Sequence, residues 1–368
     1  MHRVYPHHPG YHECMSHLED RLFRLGLLLA GAGARVRRQA GALDTGSDLA
    51  NALTEAGTPR PLLRAARDLA GKEAQAVHEK IVGAGWRWLI PGDEDFPPLL
   101  AEITDPPLGL FVRGQIVSAK TVAVVGSRKA TPYGRQIARL LGEELGRAGV
   151  VVVSGMARGV DEAAHRGALD AGGPSWAVWG TGPDRVYPRE HEALAEELVA
   201  TGALMTEYPP GTPPRPHHFP ERNRILAGLS EAVVVVEAAA RSGALITARL
   251  AVEEGREVLA VPGNIFSQLS VGPNTLIRVG ARPLLTPRDL FDAIGHEPPT
   301  ERPADNVDGL LRFIDPGEVL SADEIALRAK VEIATVVGDL LDLELAGDLR
   351  READGRYTRV HAAPPREP

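Results

Sequence analysis

Short apolar runs alternate with segments that have a helical spacing of apolar residues between positions 121 and 261. The apolar runs predict buried strands at residues 121–125, 150–153, 176–179, 203–206, 232–237 and 257–261. The intervals predict helices at residues 133–148, 159–171, 190–201, 222–229 and 244–254. Strands this apolar, separated by helices, indicate a mostly parallel sheet covered on both faces. We therefore predict an α/β fold, a Rossmann-like doubly wound sheet whose ligand lies at the carboxyl ends of the strands.

The residues before this sheet predict short helices, because Gly and Pro interrupt their apolar pattern. The candidates are residues 18–31, 48–56 and 61–84, and residues 86–91 read as a strand. We assign residues 18–85 to a small helical domain and 86–118 to a connector packed on the next domain. Residues 1–17 carry five of the twelve histidines. A metal-binding tail is one interpretation, but we favour a disordered tail, because nothing around them is patterned to fold.

The C-terminal segment follows Pro298 and Pro299 and has a different pattern. It predicts helices at residues 307–314, 321–329 and 332–345, and a hairpin formed by residues 349–352 and 356–360. Three helices and a hairpin are typical of a winged helix. We assign residues 119–296 to the Rossmann-like domain, 297–304 to a linker, 305–361 to a winged-helix domain and 362–368 to a tail.

The cysteine count and the lengths of the apolar runs indicate the cellular compartment of the protein. The one cysteine, Cys14, cannot form an intramolecular disulfide, and this indicates a reducing environment. No apolar run approaches the roughly 18 residues of a membrane span. The first residues also lack the basic start and apolar core of a signal peptide. We therefore expect a cytoplasmic protein without a membrane span.

The distribution of charge matters more than the net charge of −8, which by itself argues against a nucleic-acid partner. Residues 119–300 hold 19 basic and 20 acidic side chains, whereas residues 301–368 hold 9 and 15. The acidity is therefore concentrated at the C-terminus. Residues 119–142 form a positive patch with no acid, made by Lys120, Arg128, Lys129, Arg135 and Arg139.

Glycine follows four of the predicted strands, in loops at residues 126–129, 154–161, 180–185 and 241–244. Glycine lets a phosphate approach the backbone, and the N-terminus of the next helix presents free N–H groups. One such loop could serve turn geometry alone. Four loops at one edge of a sheet, with arginines close by, favour phosphate recognition.

Phe219, Arg222 and Arg224 come at the start of a predicted helix, which itself favours anions. A core position is the ordinary interpretation of a phenylalanine. The preceding residues 213–218 are stiff and rich in donors, which slightly favours a stacking platform for a base. A nucleotide or a nucleic-acid strand fits this combination.

The sequence lacks the motifs of common nucleotide enzymes. It contains no G-x-x-x-x-G-K-[ST], no G-x-G-x-x-G after the first strand, and no paired-cysteine metal pattern. We therefore expect no cofactor and no metal. His217 and His218 are adjacent and would point apart on an extended segment. Asp161, Glu207 and Glu237 could be acid–base groups, but we favour N-capping for Asp161 and pairing with an arginine for the glutamates.

Several of these stretches resemble motifs of the DNA-processing protein A family (DprA, also called Smf). They are collinear from about residue 93 to residue 290, at residues 95–100, 105–107, 124–128, 154–161, 180–188, 219–230 and 242–248. The resemblance implies a non-enzymatic recombination mediator that binds single-stranded DNA, forms homodimers and loads the RecA recombinase onto incoming DNA during natural transformation. It also implies that residues 18–85 are similar to a SAM or helix-hairpin-helix module.

The resemblance assigns DNA binding residue by residue. Many members have a lysine just before the Phe-Pro pair, where this chain has Arg215 to His218. The predicted DNA-binding residues are Gly126, Ser127, Arg128, Lys129, Gly155, Arg158, Arg215, His218, Phe219, Arg222, Asn223, Arg224, Ser242 and Gly243.

Two alternatives follow from the same residues. Gly-rich strand ends also resemble phosphoribohydrolases that cleave nucleoside monophosphates, but residues 241–245 lack the second Gly of their loop and no glutamate soon follows Thr247. The second concerns the winged helix, whose predicted recognition helix is acidic. A DNA-reading helix needs basic residues. We therefore favour a role in protein interaction or regulation over duplex DNA binding.

Overall fold

The computed structural model describes residues 9–41, 49–297, 308–315, 317–352 and 354–360, and the chain divides into two compact units at Pro298. The described part of the first unit holds a nine-stranded sheet in the order β1-β2-β6-β5-β4-β3-β7-β8-β9. The strands are β1 (Arg87–Leu89), β2 (Leu110–Gly114), β3 (Thr121–Val125), β4 (Val151–Ser154), β5 (Ser175–Val178), β6 (Ala203–Thr206), β7 (Ala232–Val235), β8 (Glu257–Ala260) and β9 (Arg282–Pro283).

The neighbouring strands from β6 to β9 are parallel, whereas β1 and β2 are antiparallel to their neighbours. The Rossmann-like, mostly parallel sheet is thereby confirmed. Strand order reverses at β3, because β4 to β6 follow on one side of it and β7 to β9 on the other. Such a reversal point leaves a crevice beyond the carboxyl ends of the strands.

Helices cover both faces of the sheet. Along β3, Val122 and Val124 belong to one apolar cluster, whereas Ala123 and Val125 belong to the other, as the period of two in a strand requires. The helices after β3 are α7 (Pro132–Arg147), α8 (Val160–Asp170), α9 (Glu192–Thr201), α10 (His218–Gly228), α11 (Gly243–Glu253), α12 (Val271–Arg278) and α13 (Pro287–Ile294). Helices α7, α8 and α13 pack on one face, and α10 and α11 on the other.

The helical region before the sheet differs from the prediction in its segments. It contains α1 (Pro9–Leu29), α2 (Ala34–Gly41), α3 (Leu49–Glu55), α4 (Arg60–Ala70) and α5 (Lys72–Gly83). The predicted helix 61–84 is two helices, because Gly71 has a non-helical ψ of −119°. Helix α1 begins inside the segment assigned to a disordered tail. Residues 1–8 lie outside the described residues.

Residues 86–118 are more than a connector, because β1 and β2 belong to the sheet. In sequence, a short helix, α6 (Pro98–Ala101), connects these two strands. Its Leu100 belongs to the apolar cluster under α10 and α11. Trp88 of β1 is buried, and its indole Nε1 donates to the carbonyl of Arg21 in α1. The helical region and the sheet therefore pack as one unit.

The described part of the second unit has the winged-helix arrangement that the sequence predicts. Its elements are α14 (Asp308–Leu311), β10 (Val319–Leu320), α15 (Ala322–Ala329), α16 (Ile333–Ala346), β11 (Leu349–Arg351) and β12 (Tyr357–Arg359). Ser321 and Glu324 form a capping box at the start of α15. Residues 298–307 and 361–368, which hold most of the assigned linker and the tail, lie outside the described residues. Among the helices described in both units, none has the length and apolar character needed to cross a membrane.

Candidate functional site

A cavity of about 570 Å³ opens at the carboxyl edge of the sheet, beside the reversal point at β3. Val125 ends β3, Ala157 follows β4 and Ala239 follows β7, and all three line it. Nine of the fourteen predicted DNA-binding residues also line this cavity: Gly126, Ser127, Arg128, Arg215, Phe219, Arg222, Asn223, Ser242 and Gly243. The position expected for the ligand is therefore a real cavity in this fold.

Arg128 and Phe219 make the main exposed feature of the cavity. The guanidinium carbon of Arg128 lies 4.8 Å from the centroid of the Phe219 ring, a cation–π contact. The Tyr187 ring lies 5.5 Å from the same ring, centroid to centroid. Phe219 is half-buried and packs on Gly180, where an added Cβ would lie 3.0 Å from the ring. The third glycine loop thus makes room for an aromatic ring that still faces the cavity.

Arg222 is a buried cation that holds the loop after β4. Its Nη1 donates to the carbonyl oxygens of Gly155 and Val178. Burial lowers the pKa of the Arg222 guanidinium to about 10, although the charge of Asp161 acts in the opposite direction. An added Cβ on Gly155 would lie 2.4 Å from the guanidinium, so only glycine fits there. Gly155 therefore serves the packing of Arg222, and its backbone does not line the cavity.

Asp161 supports the same loop but does not cap the helix as predicted. The N-cap of α8 is Gly159. The Asp161 carboxylate instead accepts hydrogen bonds from the backbone N–H groups of Gly155 and Ala157, at 3.1 and 3.3 Å. Burial raises the pKa of this carboxyl group, against the opposing charge of Arg222.

The two glutamates behave differently from each other. Glu207 pairs with Arg224, with Oε2 and Nη2 2.5 Å apart, which confirms the predicted pairing with an arginine. Glu237 pairs with no arginine in the described part of the chain. Its carboxylate accepts from the backbone N–H and the hydroxyl of Thr131, at 2.8 and 2.5 Å. The prediction was wrong for Glu237, because the start of α7 supplies the donors.

Arg224 turns away from the cavity into a network of four charges. Its Nε lies 3.2 Å from an oxygen of Asp105, which also pairs with Arg37 of α2 at 2.9 Å. Arg37 lies 4.0 Å from Glu207, and this closes the ring. Burial opposes ionisation of Asp105, but Arg37 and Arg224 outweigh it and hold the pKa of the carboxyl group below its usual value. Arg224 thus joins the helical region to α10.

Three other predicted residues also lie outside the cavity lining. The His218 imidazole is buried, stacks on Tyr208 and has its Nδ1 3.1 Å from the carbonyl oxygen of Gly180. Burial lowers the pKa of His218, which disfavours a cationic role. Arg158 forms an exposed ion pair with Glu190. Lys129 is exposed, and no hydrogen bond or ion pair of its ammonium group is found within the described residues.

The histidine pair also differs from the prediction. His218 begins α10, so the segment is not extended, and the His217 and His218 rings meet edge to face with centroids 4.6 Å apart. Among the described residues, no group of three or more His, Cys, Asp or Glu side chains could hold a metal ion.

Tyr187 is an aromatic cavity residue that the predicted DNA-binding set lacks. It follows β5 in a loop selected for its glycines, and its proximity to Phe219 depends on the fold. The other lining residues outside the predicted set are Val125, Ala157, Asp161, Pro214, Pro216, Pro220, Leu226, Ala239, Ala244 and Thr247.

The cavity carries more positive than negative charge. Its charged lining residues are Arg128, Arg215 and Arg222 against Asp161. The N-terminus of α11 adds a partial positive charge, with Ser242 as its N-cap. Asn223 fixes this end, since its Nδ2 donates to the carbonyl of Gly243 at 3.1 Å. The arrangement can hold phosphates beside an aromatic ring.

Comparison with known proteins gives this site a family. Residues 87–295 match the family model described as DNA recombination-mediator protein A. The chain belongs to this family. Residues 294–355 match the model of the DprA winged helix domain. Among curated DprA relatives, Protein Smf of Escherichia coli (strain K12) is 42% identical over 293 residues, which cover 75% of this chain and 78% of the relative.

Other DprA relatives cover most of the chain. The putative DNA processing protein DprA of Mycobacterium tuberculosis (strain ATCC 25618 / H37Rv) is 37% identical over 357 residues, covering 90% of this chain and 87% of the relative. The X-ray structure of DprA from Streptococcus pneumoniae aligns with a TM-score of 0.66 and 33% identity, over 73% of this chain and 95% of that one.

A structure of DNA processing protein A from Helicobacter pylori, described for its single-stranded DNA binding mode, aligns with a TM-score of 0.52 and 27% identity. The alignment covers 58% of this chain and 97% of that one.

Within this DprA chain, the residues assigned by family resemblance form two groups. Arg128, Arg215 and Phe219 face the cavity, whereas Arg224 and His218 anchor α10 to Glu207 and to the carbonyl of Gly180.

Proposed function

We propose that this protein binds single-stranded DNA and acts as a non-enzymatic recombination mediator that loads RecA onto incoming DNA during natural transformation in the cytoplasm. The observation that carries the proposal is the Arg128–Phe219 contact in a net-positive cavity at the carboxyl edge of the sheet. Family membership supports it, as does the single-stranded DNA binding described for the Helicobacter pylori relative.

The chemistry of the cavity suits a single strand better than a duplex. Arg128 and Arg215 are exposed and can neutralise phosphates, while Phe219 offers a ring on which an unpaired base can stack. Every base has a π-face, so such contacts tolerate any sequence. We therefore propose binding without sequence preference.

The carboxylates near the cavity favour this function over nucleotide hydrolysis. Asp161 accepts from two loop amides, Glu237 accepts from Thr131, and Glu207 pairs with Arg224. A general acid or base must reach the substrate with a group that can exchange its proton. These three are engaged in structural contacts instead, which supports a binding role.

Self-association belongs to the same proposal. The segments 246–259 and 281–290 carry exposed apolar side chains, including Val252 at 65% and Leu285 at 73% exposure. We propose that these segments contribute to a homodimer. A mass by light scattering that stays at the monomer value across micromolar concentrations would contradict it.

The winged helix is proposed as a protein-docking module. Ile333, Val337 and Leu341 are spaced by four residues on α16 and are 42%, 49% and 54% exposed. The helix that reads DNA in such a fold needs basic side chains at its surface, and these positions are apolar. They suit a protein partner better than a phosphate backbone.

The test is fluorescence anisotropy of a labelled oligonucleotide, single-stranded and then duplex, over a salt series. The proposal expects tight single-strand binding that weakens steeply with salt, and weak duplex binding. Equal affinity for both forms would contradict the single-strand function. The enzyme alternative is tested separately, by incubation with nucleoside monophosphates and chromatography for free base.

A further inference from the structure

A second groove, of about 700 Å³, opens at the same edge of the sheet beyond β7 and β8. Thr131 and Tyr133 at the start of α7 form one wall, and the loop after β8, from Pro262 to Ser270, forms the other. Glu237 lies at its side, and no residue of this groove belongs to the predicted DNA-binding set.

The second groove lies next to the first cavity. Gly126, Ser127 and Arg128 line the cavity and Thr131 lines the groove, so Lys129 and Ala130 separate them along the chain. The strand ends also touch, because an added Cβ on Gly126 would lie 3.0 Å from the carbonyl oxygen of Glu237. Lys129 is exposed on this bridge.

The loop after β8 presents Phe266 on a fixed backbone. Phe266 is 88% exposed, and Ile265 beside it is 80% exposed. The side-chain amide of Asn274 holds the backbone of Gly263 through both its donor and its acceptor, at 3.0 and 3.1 Å. The Asn264 side chain accepts from the Phe266 N–H at 2.9 Å. These hydrogen bonds fix the backbone of the loop, and the Phe266 ring is exposed to solvent beside the open groove.

The charges of the groove fit a base better than a phosphate. Glu237 is 3% exposed, and both its oxygens accept hydrogen bonds from Thr131. Its negative charge therefore points to the start of α7, where the helix dipole stabilises it. Tyr133 adds a half-exposed ring, whose hydroxyl donates to the carbonyl of Pro262 at 3.3 Å.

We propose that Phe266 and the groove form a second base subsite, occupied by the same DNA strand that fills the first cavity. Lys129 contacts a phosphate of the backbone that links the two subsites. The inference rests on the proposed single-strand function and extends it, because it assigns the path of the strand across β3 and β7. It also explains why Lys129 is exposed beside the cavity without lining it.

The test compares Phe266→Ala with wild type on oligothymidylates of about 4 to 16 nucleotides, the range of site sizes for single-strand binders. The shortest oligomers fill the first cavity alone, so their affinity is unchanged. Longer oligomers lose about fivefold or more, which corresponds to the ~1 kcal/mol lower bound for stacking one base. Phe266→Tyr keeps the ring and restores the affinity. Val82→Ala, which removes an exposed apolar side chain of α5, has no effect at any length.

Three results would overturn the inference. Phe266→Ala could match wild type at every length, or it could weaken the shortest oligomers as much as the longest. It could also change the mass measured by light scattering, which would assign Phe266 to contact with a second copy. Failure of wild type to bind any oligomer is distinct from these, because it would refute the proposed function and the subsite with it.

Discussion

The guanidinium carbon of Arg128 lies 4.8 Å from the centroid of the Phe219 ring, although Arg128 lies in the loop after β3 and Phe219 in the first turn of α10. The contact places a cation beside an aromatic surface at the mouth of the cavity. A strand bound there would meet a phosphate partner and a stacking partner together. Each residue also limits the freedom of the other, which lowers the cost of ordering them upon binding.

Arg128→Ala is expected to weaken single-strand binding by about 1.5–3 kcal/mol, the scale of hydrogen bonds to charged groups. Loss of one phosphate contact should also reduce the slope of log affinity against log salt concentration by about 0.7 in magnitude. Anisotropy titrations at several salt concentrations measure both quantities. Arg64→Ala is the control, since it removes an exposed arginine of α4 that does not line the cavity. Equal affinity of Arg128→Ala and wild type would place the phosphate contacts elsewhere.

Phe219→Leu and Arg128→Ala are expected to be non-additive, because the two side chains touch. Phe219→Leu alone should cost about 1–3 kcal/mol of single-strand affinity, since leucine packs on Gly180 but offers no π-face. The double variant should lose less than the sum of the single losses, by about 0.5 kcal/mol or more. If the losses of binding free energy in the two single variants add up to the loss in the double variant, the two residues act on separate parts of the strand.

Much of the fold follows from apolar runs. The predicted strands 121–125 and 203–206 coincide with β3 and β6, because buried central strands are almost wholly apolar. Strand β2 was missed, since its arginine and its glycine hide the pattern of a strand near the sheet edge. Gly71 was read as part of a helix, and the periodicity of its flanks gave no sign of the break.

The site was predictable as far as residue type and loop position specify it. Arg128 and Phe219 were found because a strand end and a helix start place them at the sheet edge. Arg222 and Arg224 carry the same side chain in the same helix, and only packing separates their roles. The partner of Arg224 is Asp105, 119 residues away in sequence, and no local pattern reports such a contact.

Arg224→Ala is expected to destabilise the first unit by about 3–5 kcal/mol, because buried Glu207 loses its partner at 2.5 Å and is left with Arg37 at 4.0 Å. Denaturant unfolding followed by tryptophan fluorescence measures this. All four tryptophans, Trp86, Trp88, Trp176 and Trp179, belong to this unit.

The control for Arg224 is Arg189→Ala, which breaks an exposed pair with Glu192 at the start of α9. Exposed pairs contribute about 0–1 kcal/mol, so this variant should unfold nearly as wild type does. Equal unfolding midpoints for the two variants would show that the four-charge network contributes little.

Asp105 should make the first unit sensitive to acid. Its pKa in the folded protein lies below the usual value, so its ionised form stabilises the fold above the unfolded pKa of about 3.9. This contribution is lost as the pH falls from there through the lower folded pKa. The stability difference between wild type and Asp105→Asn should therefore be largest near neutrality and shrink below about pH 4. A difference that does not shrink as the pH falls below about 4 would contradict the lowered pKa.

The wing of the second unit is expected to contribute nothing to duplex binding. Two of its four arginines are engaged locally, since Arg350 pairs with Glu352 and Arg356 with Asp354. Phosphate binding would have to break these pairs within an acidic segment. Arg350→Ala and Arg356→Ala should therefore leave duplex affinity unchanged at low and moderate salt. If the wing bound a DNA groove, each substitution would weaken duplex binding and reduce the dependence of log affinity on log salt concentration. Such a loss of duplex affinity would indicate that the winged helix binds DNA, and it would contradict a purely protein-docking role.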